Sequence, residues 1–309
     1  MQSSPVVVIG GANVDIGAKP YDRLLEKDSA PGRTTFSLGG VGRNIAHNLS
    51  LLGAEVSLLS AVGDDMNGSF ILNGCNECGI RTDAVLRCPD LETSSYLFIS
   101  DEHGEMQLAI SDMEICNRIT PEYLQAHKDL LLSASVVVAD CNIPRRSLQW
   151  LAETVTAPLF VDPVSTAKAE RARPILSRIH TIKPNRLEAE ILSGVPIHSI
   201  EDAKTAAGVL LYNGVQHVFL SLSEDGIVAA TKEKAMHLPS PASLVLDTTG
   251  CGDAFMAALV WALLKDLPLS ESAGAALTAA SIAMESPFTI SENMSEEALL
   301  GRMHTKNEK

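Results

Sequence analysis

Short runs of Val, Ile and Leu recur along the chain at Pro5–Gly10, Glu55–Val62, Ser135–Ala139, Pro158–Val161, Thr181–Lys183, His217–Ser221 and Leu244–Asp247, with Gly, Pro or polar residues between them. Runs of this length and β-branched content predict strands. Their lack of polar alternation predicts strands covered on both faces. Between them apolar residues return at helical spacing over Gly42–Leu52, Asn67–Cys78, Pro144–Thr154, Leu187–Ser193, Glu201–Tyr212 and Ala254–Leu264. Strand and helix alternating in this way predict an α/β fold, a mostly parallel central sheet with helices on each side.

Two segments, about 12–38 and 92–116, break that rhythm. In the second, Ser94–Ser100 and Glu105–Ile110 flank an Asp101–Gly104 turn, and the alternation Ser95, Leu97, Ile99 and Met106, Leu108, Ile110 gives a small sheet one apolar face. Such a face needs a cover, either a binding cleft beneath a lid or a second subunit. With no repeat, low-complexity tract or linker, residues 1–309 read as a single domain carrying this lid. The charged tail after about Asn293 is expected to fray at its end.

A chain of 309 residues with 46% hydrophobic content can bury a large core. It contains no apolar run of about 18 residues and no basic-then-apolar leader, so neither membrane insertion nor export is expected and the cytoplasm is the expected location. The net charge of −14, with basic residues scattered, offers a nucleic-acid backbone nothing to grip. Six cysteines are too sparse for a disulfide framework, and the C-x-x-C pair Cys75 and Cys78 lacks a second ligand pair for zinc, so that pair reads as structural thiols.

The strongest chemical signal is Asp247-Thr248-Thr249-Gly250-Cys251-Gly252-Asp253-Ala254-Phe255, which opens a long apolar helix. Gly250 and Gly252 let backbone approach a phosphate, and the first-turn N–H groups of a helix point at it with the positive end of the dipole behind them. A carboxylate at Asp253 would repel phosphate unless it faced an attacking hydroxyl. A Gly-rich turn with an Asp N-cap accounts for any one of these residues but not for all nine. A second cluster, Gly39-Gly40-Val41-Gly42-Arg43-Asn44-Ile45-Ala46, precedes another helix and by itself is a tight turn lacking the third glycine of a dinucleotide fingerprint. Asp15, just past the first strand, is a turn former or a ligand. Lys183-Pro184-Asn185-Arg186-Leu187-Glu188 is either a helix-capping arrangement or a polar site, and Ser221-Leu222-Ser223-Glu224-Asp225-Gly226 ends a strand in a polar turn.

In chain order these motifs resemble those of the ribokinase-like (PfkB) carbohydrate kinases, whose signatures are G-G-x-x-x-N-x-A, N-x-x-E and D-T-x-G-A-G-D-x-F. Cys251 stands where that family has Ala, which places a thiol beside the phosphate and implies sensitivity to oxidation. The resemblance implies the ribokinase-like three-layer fold, ATP as co-substrate and Mg2+ as cofactor. It also implies Asp253 as base and an anion hole from the N–H groups of Gly250, Cys251, Gly252 and Asp253. Asp15, Gly39, Gly40 and Asn44 become acceptor ligands, and Asn185, Glu188, Ser221, Ser223 and Gly226 become ATP and magnesium ligands, Glu188 acting through water. Ser223 stands where Gly is usual. No Walker A sequence and no protein-kinase set is present, which excludes both of those classes.

Within the family, the blocks Gly39–Asn44, Thr93–Tyr96, Val138–Ile143, Val161–Ser165 and Ile179–Glu190 are similar to those of bacterial pseudouridine kinases. That likeness implies phosphorylation of the pseudouridine 5′-hydroxyl, with ribose or another nucleoside as the alternative acceptor. Thr93–Tyr96 would read the base, Lys168 and Asp112 are candidate pocket groups, and a homodimer through the lid is the expected assembly. The competing class is a sugar- or nucleoside-binding regulator that keeps the fold without catalysis; the presence of Asp253 argues against it.

Overall fold

The computed structural model describes residues 4–24, 27–241 and 244–307. Two positions of the expected lid, 25 and 26, lie outside them. The central sheet has eight strands in the order Ala235–Leu238, Ile227–Ala230, His217–Ser221, Thr181–Ile182, Leu159–Asp162, Val136–Asp140, Val6–Ile9, Val56–Leu59. The six strands from His217–Ser221 to Val56–Leu59 pair in parallel, and the two closing the other edge are antiparallel.

Helices cover both faces. One core gathers Val7, Ile9, Val137, Val161 and Val218 with Leu148, Leu151, Ala206 and Leu210. The other gathers Val6, Val8, Val138 and Phe160 with Ile45, Leu49 and the helix Cys251–Leu264. That helix is apolar on every side because it is sandwiched between the sheet, the helix Val41–Leu51 and the helix Leu269–Met284, burying ten consecutive residues from Asp253 to Ala262.

Register aligns the strand ends. Ile9 pairs with Ala139, Ala139 with Val161 and Val161 with Ile182, so Gly10, Asp140, Asp162 and Lys183 follow at the carboxyl edge of four neighbouring strands. Open parallel sheets place ligands at that edge.

The second sheet has the order Gly32–Gly39, Asn13–Pro20, Ser95–Ser100, Met106–Asp112. Its register carries Phe36, Ile16, Leu97 and Ile110 across one face. Phe36, Leu97, Leu108 and Ile110 are exposed.

Two expectations need correction. Leu244–Asp247 is not a strand: Leu244, Val245 and Leu246 are exposed, and the Leu246 and Asp247 N–H groups donate to the Met284 carbonyl, so this apolar run is a rim rather than a core element. The sheet edge is completed instead by Ile227–Ala230 and Ala235–Leu238. Glu55–Val62 divides into Val56–Leu59 and Ala61–Gly63 at Ser60, whose hydroxyl donates to the Gly10 carbonyl at 2.7 Å. The segment after Asn293 packs at its start, where Met294 and Leu299 are buried and Glu296 accepts the Trp261 Nε1–H in a helix running Glu296–Asn307, and its last two positions lie outside the described residues.

Candidate active site

The helix Cys251–Leu264 begins at Gly250, which adopts φ 79°. A side chain there would be strained by φ and would put its Cβ 2.1 Å from the Thr289 carbonyl oxygen, so only glycine makes this turn. The N–H groups of Gly252 and Asp253 belong to the first helical turn, where no intrahelical acceptor exists. The Cys251 N–H donates to the Thr248 carbonyl at 3.3 Å. A Cβ on Gly252 would come within 2.9 Å of Lys183 Nζ, so this glycine is what lets an ammonium group lie against the helix start.

Asp253 is 8% exposed, and one carboxylate oxygen accepts the Asn44 amide NH2 at 2.8 Å. Burial, followed by the nearby Asp162 charge, pushes its pKa up to about 7, against the opposing effects of the Asn44 hydrogen bond and Lys183. Asn44 lies on the helix Val41–Leu51, entered through Gly40 at φ 96°. Gly39 packs directly against the Asp15 carboxylate, where a Cβ would meet it at 2.4 Å, and the Asn13 amide holds Asp15 at 2.6 Å. Asp140, fully buried, ties this region together by accepting the N–H groups of Gly11 and Gly42 on one oxygen, each at 2.8 Å, and that of Asn142 on the other. Asp15, Gly39, Gly40, Asn44 and Asp253 are thus gathered at one place.

Lys183 was not anticipated as a site residue. It is buried, its Nζ lies 3.2 Å from Asp162 Oδ2, and its pKa is raised because the Asp162, Glu188 and Asp253 charges outweigh the larger single effect of burial. The contact with Asp162 is an ion pair without hydrogen-bond geometry, and Asp162 Oδ2 makes no hydrogen bond. Only its position one residue past a strand, before Pro184-Asn185, could have pointed to Lys183.

Asn185 and Glu188 form a complete capping box: the Glu188 N–H donates to Asn185 Oδ1 and the Asn185 N–H to Glu188 Oε2, both at 2.9 Å. The capping role is therefore real, yet Glu188 is also 2% exposed with its carboxyl pKa raised by burial and then by Asp162. Among the described residues no group of three or more His, Cys, Asp or Glu is arranged to grip a metal directly. Buried hard oxygens from Asp162 and Glu188 beside the helix start fit a magnesium ion that keeps its water shell.

A cleft of about 630 Å³ continues from this point, lined by Lys183, Ser221, Ser223, Gly226, Val245, Cys251, Gly252 and Phe255 among others. Ser223 has φ 55°, which explains why glycine suits that position, and Gly226 has φ 83° with no room for a Cβ beside the Leu238 carbonyl. Cys251 opens on the cleft, but burial pushes its thiol up to about 12. It is not the reactive thiol that a neighbouring phosphate site would suggest.

The remaining candidates fare differently. Lys168 is half-buried and donates to Asn142 Oδ1 at 2.5 Å; a Cβ on Gly11 would meet the Asn142 NH2 at 2.9 Å. Asp112 is exposed at the end of the outer lid strand, where it accepts the Glu114 N–H in a local turn. The Thr93 hydroxyl donates to Asp65 and accepts the Gly63 N–H, so it is occupied in holding the lid segment to the helix Met66–Glu77.

The chain matches the pfkB family of carbohydrate kinases over residues 3–296. It is 42% identical over 293 residues to the pseudouridine kinase of Escherichia coli strain K12, covering 94% of this chain and 93% of that one. The structure of a carbohydrate kinase from Agrobacterium tumefaciens superposes with a TM-score of 0.87 at 25% identity, covering 98% of this chain and 97% of that one. Arabidopsis thaliana ribokinase complexed with ribose and ATP superposes with a TM-score of 0.86 at 22% identity, covering 98% and 99%. This chain belongs to the pfkB family, has the ribokinase-like fold, and is an ATP-dependent sugar or nucleoside kinase.

Proposed function

We propose that the protein transfers the γ-phosphoryl group of ATP to the 5′-hydroxyl of pseudouridine, giving pseudouridine 5′-phosphate and ADP. The observation that carries the phosphoryl-transfer geometry is the placement of the buried Asp253 carboxylate at a helix start, between the Asp15–Gly39–Asn44 group and the cleft lined by Ser221, Ser223 and Gly226. The choice of pseudouridine rests on the 42% identity with the Escherichia coli pseudouridine kinase along nearly the whole chain.

In this reading Asp15, Gly39, Gly40 and Asn44 hold the ribosyl hydroxyls. Asp253 takes the proton of the primary hydroxyl as its oxygen forms the new bond to the γ-phosphorus, and the bond to the β-phosphate bridging oxygen breaks. A base with a pKa of about 7 suits this task near neutral pH. The N–H groups of Gly250, Gly252 and Asp253 and the Lys183 ammonium take up charge on the transferring group, the Cys251 N–H being held by the Thr248 carbonyl. Ser221, Ser223 and Gly226 border the nucleotide. Glu188, Asn185 and Asp162 would hold hydrated Mg2+, which when bound supplies charge neutralisation at the phosphates. The lid excludes water, and a second copy of the chain covering its exposed apolar face is part of the same proposal.

Pseudouridine keeps an N1–H that uridine lacks. A buried acceptor left unpaired with uridine costs about 1–3 kcal/mol, roughly 5- to 150-fold in kcat/KM. The test is ATP consumption with pseudouridine, uridine, adenosine and ribose as acceptors. Pseudouridine is expected to give the highest kcat/KM; a clear preference for ribose or adenosine would sink the substrate assignment while leaving a kinase, and no turnover with any acceptor would return the non-catalytic reading.

A further inference from the structure

Arg43 lies in the first turn of the helix Val41–Leu51 and is 4% exposed. Both facts are unfavourable for it. Burial removes a guanidinium from water, and the positive end of a helix dipole repels a cation. Among the described residues no carboxylate comes within ion-pair distance of it; Asp15 and Asp253 act on it only from further away. What its side chain does contact is Asn44 Oδ1, to which NH1 donates at 2.6 Å.

The geometry points to Arg43 as a positioning residue that fixes which way the Asn44 carboxamide faces, and thereby aims its NH2 at the Asp253 carboxylate. A guanidinium has five N–H donors and no acceptor. It can hold Asn44 only by the carbonyl oxygen, which leaves the NH2 for Asp253 Oδ2 at 2.8 Å. With Arg43 gone, rotation of the amide by half a turn would set its oxygen against a carboxylate oxygen in a buried space. The base would lose a donor to one oxygen and be harder to ionise, while the pocket outline stayed the same.

The other groups facing Asp253 are Lys183, Asp162 and Asp140, from the ends of three strands, and Cys251 from its own helix. Those facing Arg43 are Asp15 from the lid, Cys75 and Cys78 from the helix Met66–Glu77 and its end, and His47 one turn further along its own helix. Burial, with Arg43 second, pushes His47 down to about 4, so it stays neutral over the range in which the base ionises.

The inference rests on Asp253 being the base, and the experiment separates the two. Arg43→Met, Arg43→Lys, Asn44→Ala and the Arg43→Met/Asn44→Ala double variant are compared by kcat, KM for both substrates, the pH profile of kcat/KM and Tm. Loss of a hydrogen bond to a charged group raises the pKa of the base by about one unit in Arg43→Met, which from about 7 corresponds to roughly a 5-fold loss of activity near pH 7. The acid limb of its profile is expected to move up by about one pH unit, with KM for ATP within about twofold and activity recovering as pH rises. Arg43→Lys, which keeps a donor-only cation, should recover most of the loss, and the double variant should be no worse than Asn44→Ala alone. Packing loss by itself would lower Tm and leave the acid limb in place. Wild-type kcat with an unmoved acid limb in Arg43→Met, or losses that add in the double variant, would overturn the inference. If Arg43→Met does not fold, an unmoved limb in folded Asn44→Ala overturns it equally. Loss of turnover in Asp253→Asn beside an unaffected Arg43→Met would reject the positioning role and keep the base.

Discussion

Replacing Asp253 by Asn separates what this carboxylate does for the reaction from what it costs the fold. Asn keeps the shape and still offers an oxygen to the Asn44 NH2, but it cannot accept a proton from a hydroxyl. Loss of a general base lowers kcat by at least about 100-fold, with binding of ATP and nucleoside retained. The stability effect has the opposite sign. In the folded protein the Asp253 pKa is raised from the ordinary 3.8 to about 7, mainly by burial. Below the lower value both states are protonated and there is no penalty. Between the two the unfolded chain ionises while the folded one keeps its proton, so stability falls as pH rises, and above about 7 the full cost is present. At about 1.36 kcal/mol per pKa unit the cost is on the order of 4 kcal/mol. An unfolding entropy of about 2.1 cal/mol/K per residue, taken over the 309 residues of this chain, converts that to a Tm difference of roughly 6 °C. Asp253→Asn is therefore expected to melt above wild type at pH 8 and to approach it near pH 4, measured by calorimetry or circular dichroism at several pH values. Wild-type turnover would refute the catalytic half of the reasoning, and a Tm difference independent of pH would refute the electrostatic half.

The two glycines of the same turn are expected to fail differently. Gly250→Ala should lose stability by about 1–3 kcal/mol as well as activity, because φ 79° and the Thr289 carbonyl both oppose a side chain; Gly252→Ala should melt near wild type but lose kcat, since its Cβ displaces Lys183 Nζ from the helix start. Cys251, with its thiol pushed up to about 12, should be alkylated in the folded protein at pH 8 more than about 100-fold more slowly than free cysteine, read by mass spectrometry; rapid labelling there would contradict a thiol held protonated. Leu97→Asp, on the exposed apolar lid face, should raise KM, increase ATP hydrolysis relative to transfer, and shift the solution mass toward a monomer; no change in any of these removes both the lid and the subunit contact.

How far the sequence carried depended on whether the constraint was local. Gly250 is legible because a left-handed turn and a blocked Cβ act on that residue alone, and Ser223 stood out as unusual for the same reason, having φ 55° where glycine is freer. The Leu244–Asp247 run misled because apolar composition signals burial, whereas here it borders a cleft and contacts the end of the helix Leu269–Met284. Lys183 and Arg43 were not legible as site residues because nothing beside them in the chain requires a buried cation. Lys183 has its partner Asp162 on the neighbouring strand, and Arg43 has its purpose in Asp253, 209 positions from the Asn44 it holds. Once strand order and register are known, those distant residues follow from a single step. The row after the aligned Ile9, Ala139, Val161 and Ile182 is Gly10, Asp140, Asp162 and Lys183 across four adjacent strands. Asp140 holds the two glycine-rich loops, Asp162 holds Lys183, and Lys183 lies against the helix start that bears Asp253. The parallel sheet thus places a row of charged side chains that no stretch of the sequence contains, while the motifs supply the loops that the row holds in place.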